Sequence, residues 1–192
     1  DVLAPTRTRL SNAIKSASSK SQNDKASGLK EAGNLITAAE PLLAVMSMLQ
    51  MPTSTECQEL FDDVARTALN CAGLTYKAFT DQSNSAGRPN SANQSPALVA
   101  GNQFISILRR LRGFAKDKEL IENIDRIIRD VESNLQFERH LKPILELAVK
   151  IRDTPGIKAV EKLNRLSSQV LPPLDTLISQ KALSAELLDD LC

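Results

Sequence analysis

The chain has no tryptophan, a single tyrosine at Tyr76 and a single histidine at His140. Proteins that grip single-stranded nucleic acid stack bases on aromatic side chains, so a nucleic-acid partner is not expected. One histidine excludes a paired-histidine metal site and leaves only one residue for the base of a Ser/His/Asp triad. The three cysteines, Cys57, Cys71 and Cys192, form no Cys-x-x-Cys pair, whereas a structural zinc needs four well-placed ligands. There is no glycine-rich phosphate loop, and the acidic residues around Glu122, Asp125 and Asp130 alternate with Arg126 and Arg129 as ordinary helix-surface charge does. No cofactor, metal or catalytic residue is expected, and the chain reads as a non-enzyme.

Charge of one sign is also missing: 24 Lys and Arg stand against 23 Asp and Glu. No global field therefore recruits an anionic polymer or membrane, and a binding surface has to be local. No stretch approaches the roughly 20 consecutive apolar residues of a membrane span, and no apolar signal-peptide run opens the chain. If residues 55–79 form one helix, Cys57 and Cys71 are about 21 Å apart at 1.5 Å per residue, too far for a disulfide. Free thiols suggest a reducing, cytoplasmic setting. The sequon Asn93-Gln94-Ser95 is followed by Pro96 and is weak evidence for secretion.

No segment alternates polar and apolar residues as a half-buried strand does. What is present is a helical period. Ile121, Ile124, Ile128, Val131 and Leu135 step by three and four, as do Cys57, Phe61, Val64, Ala68, Cys71 and Thr75. The expectation is an all-α multi-helix bundle of six to eight amphipathic helices with antiparallel neighbours. At 192 residues the length suits a single helical domain, 1–192. Residues 1–80 form an N-terminal helical half and 97–192 a C-terminal half, joined by a polar loop at 81–96 that has no large apolar residue and cannot repay its ordering entropy.

Within the halves, the first stripe of Leu10, Ala13, Ile14 and Ala17 is weak. The second, from Leu29 to Met46, is interrupted by Pro41, which predicts a kinked helix or two helices meeting there. The run at 41–49 is apolar on almost all sides, as in a central buried segment. Thr53 with Glu56 forms a capping box for the next helix. The stripe slips at Glu138 and Arg139, and with Pro143 this marks a bend or a new helix. Thr154 as cap and Pro155 at the first helical position predict a helix start, and Pro172-Pro173 closes that helix before a short successor. A shift of 36 residues lays Leu108, Leu111, Ile124 and Ile127 over Ile144, Leu147, Val160 and Leu163, a solenoid-like period that two similar hairpins of a bundle also produce.

Two features point to binding. Arg109, Arg110 and Arg112 with Lys116 and Lys118 crowd one helix, where Arg109, Arg112 and Lys116 share a side; they form the basic rim expected to meet an acidic segment of another protein. The second is Leu183-Ser184-Ala185-Glu186-Leu187-Leu188-Asp189-Asp190-Leu191, an acidic leucine stripe of the sort that docks into grooves of helical bundles. Leu187, Leu188 and Leu191 resemble the leucine-aspartate motifs of focal-adhesion adaptors, with Ser184 and Ala185 in place of the leading Leu-Asp. That resemblance implies a partner-binding role for these three leucines. His140-Leu141-Lys142 resembles the helix of phosphotransfer bundles over those residues alone. The function expected is a protein-interaction or scaffolding domain whose groove takes a helical or acidic partner segment. The alternative is a helical carrier of a fatty acid or other apolar ligand, with a pocket among Ala32, Gly33, Ala65, Ala68, Ala72 and Gly73.

Overall fold

The computed structural model describes residues 4–49, 55–85 and 96–179. Of these, 94% are helical, with no strand among the described residues. The helices are α1 (Ala4–Asn23), α2 (Gly28–Leu49), α3 (Thr55–Ser85), α4 (Pro96–Phe114), α5 (Lys118–Gln136), α6 (Lys142–Asp153), α7 (Ala159–Gln169) and α8 (Leu171–Ser179). The fold is an all-α helical bundle.

Helices α1 to α5 share one core. Leu10 of α1, Ile36 and Leu43 of α2, Val64 and Ala68 of α3, Leu108 and Leu111 of α4 and Ile124 of α5 are all at most 1% exposed. The contacts fix directions. Leu29 at the start of α2 meets Thr75 late in α3, while Met46 and Cys57 pack together at the opposite ends, so these helices are antiparallel. Phe61 faces Phe114 and Tyr76 stacks on Phe104 at 5.1 Å, making α3 and α4 antiparallel as well. The corner before α2 is pinned to α3 by one buried hydroxyl: Thr75 donates to the Lys25 carbonyl (2.5 Å) and accepts from the Leu29 amide (3.0 Å).

Pro41 lies inside α2 on its exposed side, and the helix runs through it. Losing one backbone bond at a solvent-facing position is survivable when the other face is packed. The run 41–49 is not buried all round as its composition suggested. Leu43 and Met46 are buried, but Val45 is 45%, Leu49 61% and Met48 84% exposed, because only one face of α2 meets α1 and α3. Residues 25–49, at a mean hydropathy of 1.4, are long and apolar enough to cross a membrane by length and composition. That is contrary to the expectation of no such stretch; alanine between the larger apolar residues raises the average, and the buried face of the helix belongs to the shared core.

The boundaries of the polar segment also differ from expectation. Residues 81–85 continue α3 and Pro96 opens α4, since extending an existing helix fixes one residue per added bond and is cheap compared with nucleation. The capping box at Thr53, the sequon and residues 183–191 lie outside the described residues.

After α5 the register slip at Glu138 and Arg139 is a π-turn, Phe137–Leu141, whose closing bond runs from the Lys142 amide to the Phe137 carbonyl. A π-turn adds one residue to the helical path. The buried stripe Leu120, Ile124, Val131, Leu135 thereby resumes at Leu141 and Ile151, and Pro143 enters where the backbone is already widened. Thr154 does not start the next helix. It terminates α6, its hydroxyl donating to the Lys150 carbonyl at 2.6 Å, and Pro155 and Gly156 form a turn with Gly156 at φ +77°. Helix α7 begins only at Ala159, with Lys158 at the N-cap position and no side-chain capping bond from it.

Helices α6, α7 and α8 form an arm appended to this core. Ile124 is fully buried, but Val160, which takes the same place 36 residues on, is 73% exposed, and Leu163 is 70% exposed. The second hairpin repeats the apolar spacing of the first without a bundle under it, and neither α7 nor α8 contains a buried residue.

Candidate functional site

The α4–α5 hairpin carries the basic cluster, and its geometry starts from a buried acid on α3. Asp62 is 7% exposed, and its Oδ1 accepts the backbone amides of Lys116 (2.8 Å) and Asp117 (3.1 Å). Asp117 in turn caps α5, accepting from the Glu119 amide at 3.0 Å, and its other oxygen takes Arg66 of α3 at 2.8 Å. The turn amides that no helix satisfies are thus held by carboxylates, which fixes the hairpin against α3. Gly101 on α4 lets the hairpin close: a Cβ there would lie 2.6 Å from a methyl carbon of Leu135.

The predicted cluster separates over this scaffold. Arg109 pairs with Glu132 (2.9 Å) and Arg112 with Asp125 (2.6 Å), both across to α5 in antiparallel order. The Asp125 carboxylate, by its hydrogen bond first and its charge second, holds the Arg112 guanidinium more firmly protonated than usual. Arg110 points the other way and pairs with Glu40 of α2 at 2.7 Å. The Lys116 ammonium sits over the Phe61 ring, 5.0 Å from its centre, and Lys118 pairs with Glu122. All these guanidinium pairs are exposed. Such pairs contribute about 0–1 kcal/mol each, and a guanidinium with five N–H groups keeps donors free after one bond.

Arg109 and Arg110 come together at a groove between α4 and α5, with Ile105 and Leu135 in its lining and Arg139 of the π-turn at its end. Arg139 was not part of the predicted cluster. It is about 30 positions away in sequence, and only the antiparallel hairpin with the π-turn places it beside Arg109; its position at the register slip was the one signal available. Arg112 and Lys116 do not line this groove.

Two other grooves have nearly the same volume, about 640 Å³ each against 630 Å³, so size does not distinguish them. Charge does. The α4–α5 groove has three guanidiniums and one carboxylate, Glu132; adding Glu40, the partner of Arg110, still leaves a positive excess. The groove at the start of α5 sets Arg66 and Arg126 against Asp117, Glu119 and Glu122. The one along α6 sets Lys142 and Lys150 against Glu138, Glu146 and Asp153, around Phe137, Leu145 and Val149. Both have a negative excess.

Cys57 and Cys71 are buried, and burial pushes the Cys71 thiol up, toward its unreactive protonated form. His140 lies in the π-turn. Among the described residues no three His, Cys, Asp or Glu side chains gather as a metal-binding set. Of the small residues considered for a ligand pocket, Ala32, Ala65, Ala68 and Ala72 are fully buried in the shared core. Gly33 and Gly73 instead face open space, where an added Cβ would meet nothing within 4 Å. Comparison with known proteins finds no match to a family model, to a curated protein or to a solved structure.

Proposed function

We propose that the chain is a non-enzymatic protein-interaction domain whose α4–α5 groove receives an acidic, leucine-bearing segment of a partner. The observation that carries this reading is the sign of the groove: among three grooves of nearly equal size it alone has excess positive charge, at Arg109, Arg110 and Arg139. An acidic amphipathic segment would set its carboxylates against Arg109, Arg110 and Arg139, with these rim charges setting specificity. The buttressing by Asp62 and Asp117 supports it, because a rigid groove loses little entropy on binding. A cytoplasmic setting belongs to the same reading and is supported by the unpaired thiol of Cys71.

The test is a titration of a short fluorescent peptide of leucine, alanine, glutamate and aspartate, followed by anisotropy. Arg109→Glu with Arg110→Glu is expected to weaken binding by at least about tenfold, equivalent to about 1.4 kcal/mol, while the helical circular dichroism stays that of the parent. The ion pairs removed are exposed and hold the fold only weakly. Unchanged affinity in a folded double variant would refute the groove.

A further inference from the structure

We infer that the groove along α6 is one half of a symmetric interface, and that its occupant is the same groove of a second copy of this chain, the two α6 helices lying antiparallel. The α4–α5 groove plays no part in it. All the residues lining the α6 groove lie between Phe137 and Pro155, in the π-turn, in α6 or in the turn after it. Among the described residues no second helix supplies a facing wall, so the groove is open on that side. Its apolar side chains are accessible: Leu145 is 41% and Val149 45% exposed.

Charge selects the occupant. At 3.6 residues per turn Lys142, Leu145, Glu146, Val149 and Asp153 share one side of α6, with Lys150 at its edge. Along the helix the charges alternate, Lys142 positive, Glu146 negative, Lys150 positive and Asp153 negative. Read backwards, the same series has the opposite sign at every place. A second α6 running antiparallel about a two-fold axis near Ala148 therefore sets Lys142 opposite the partner's Asp153 and Glu146 opposite the partner's Lys150, and symmetry repeats both pairs. Leu145 and Val149 then cross-pack on their counterparts between these charges. A parallel copy would instead bring each charge level with its own like. Glu146 and Lys150 are exposed and have no hydrogen bond or ion pair among the described residues, so the central pairs form without breaking another. At the outer pairs Lys142 already holds Glu138 and Asp153 holds Arg152, but an ammonium with three donors and a carboxylate with about four acceptor sites can each take a further partner. Arg152 also cancels the negative excess of the groove, so two copies meet without net repulsion. Helix α6 has 12 residues, about 18 Å of length, which is short for the roughly 800 Å² per partner of a stable complex. The dimer is accordingly a weak, reversible one.

Sedimentation of the full chain between about 1 µM and about 1 mM tests this. The expected result is a mass that rises with concentration from monomer toward dimer. Glu146→Lys, and separately Lys150→Glu, should each weaken association by at least about tenfold, with the helical circular dichroism of the parent, because like charges then meet at the centre of the face. Mixed in equal amounts, these two variants should associate again, since one presents ammoniums there and the other carboxylates. A parent chain that stays monomeric throughout would overturn the proposal, as would a mixture of the two variants that fails to associate. A dimer indifferent to both reversals would overturn it too, pointing to another face or to a parallel pairing.

Discussion

Gly28→Ala is expected to be among the most damaging single substitutions in the molecule, costing about 3 kcal/mol of stability through overpacking. A Cβ at this position would lie 2.0 Å from the Cys71 carbonyl oxygen and 2.6 Å from the Thr75 hydroxyl. The first obstacle is helix backbone, which cannot rotate away as a side-chain end can. The α1–α2 corner would have to lift from α3, and with it would go the two hydrogen bonds through which Thr75 holds Lys25 and Leu29. Thermal unfolding is the measurement, and a fall of the order of 10 °C is expected for a chain of this size. Gly33→Ala in the same helix is the control. An added Cβ there meets nothing, so the helix preference of alanine should leave stability unchanged or raise it by about 0.5–1 kcal/mol. An unchanged or raised melting temperature for Gly28→Ala, as for Gly33→Ala, would show that helix propensity outweighs the close approach to α3.

The second large effect is expected at Asp62. Removing its carboxylate leaves the Lys116 and Asp117 amides without their acceptor at a partly buried turn. Asp62→Ala should cost about 2–3 kcal/mol, since each charge-assisted hydrogen bond contributes about 1.5–3 kcal/mol and one amide can turn toward water. Asp62→Asn keeps an oxygen in place and should cost about half as much. Urea midpoints of the two variants measure this. The loss should extend to binding, because Asp62 anchors the hairpin that forms the groove: Asp62→Ala is expected to weaken the acidic peptide even where the protein is still fully folded. Identical midpoints for both variants would mean that the charge, and not the acceptor, is what the turn needs.

Much of this fold is legible in the sequence because periodicity reports which face of a helix is apolar. The stripes of α3 and α5 are read directly, and the slip at Glu138 and Arg139 announces the π-turn that absorbs it. Periodicity does not report what lies opposite a face. The same spacing buries Ile124 completely and leaves Val160 73% exposed, and the all-round apolar run at 41–49 buries only the side that meets its neighbours. Local signals can also point both ways. Thr154 followed by Pro155 has the composition of a helix start, yet the threonine hydroxyl bonds backward and ends α6.

The site was partly legible for the same reason. A cluster of arginines on one helix is visible, but neighbours one position apart diverge. Arg109 reaches α5 and Arg110 reaches α2, while Arg139 joins them from far along the chain. Asp62 carries no pattern of its own as one carboxylate among 23 acidic residues. Its role comes from the turn it faces, and that turn is set by the packing of α3 on α4.

The central claim, that the α4–α5 groove takes an acidic leucine segment, is tested most directly by mapping amide shifts. The acidic peptide is titrated into the full-length chain. Shifts centred on Ile105, Arg109, Glu132, Leu135 and Arg139 are predicted; shifts centred on Leu145, Val149 and Thr154 of the α6 groove would contradict the account.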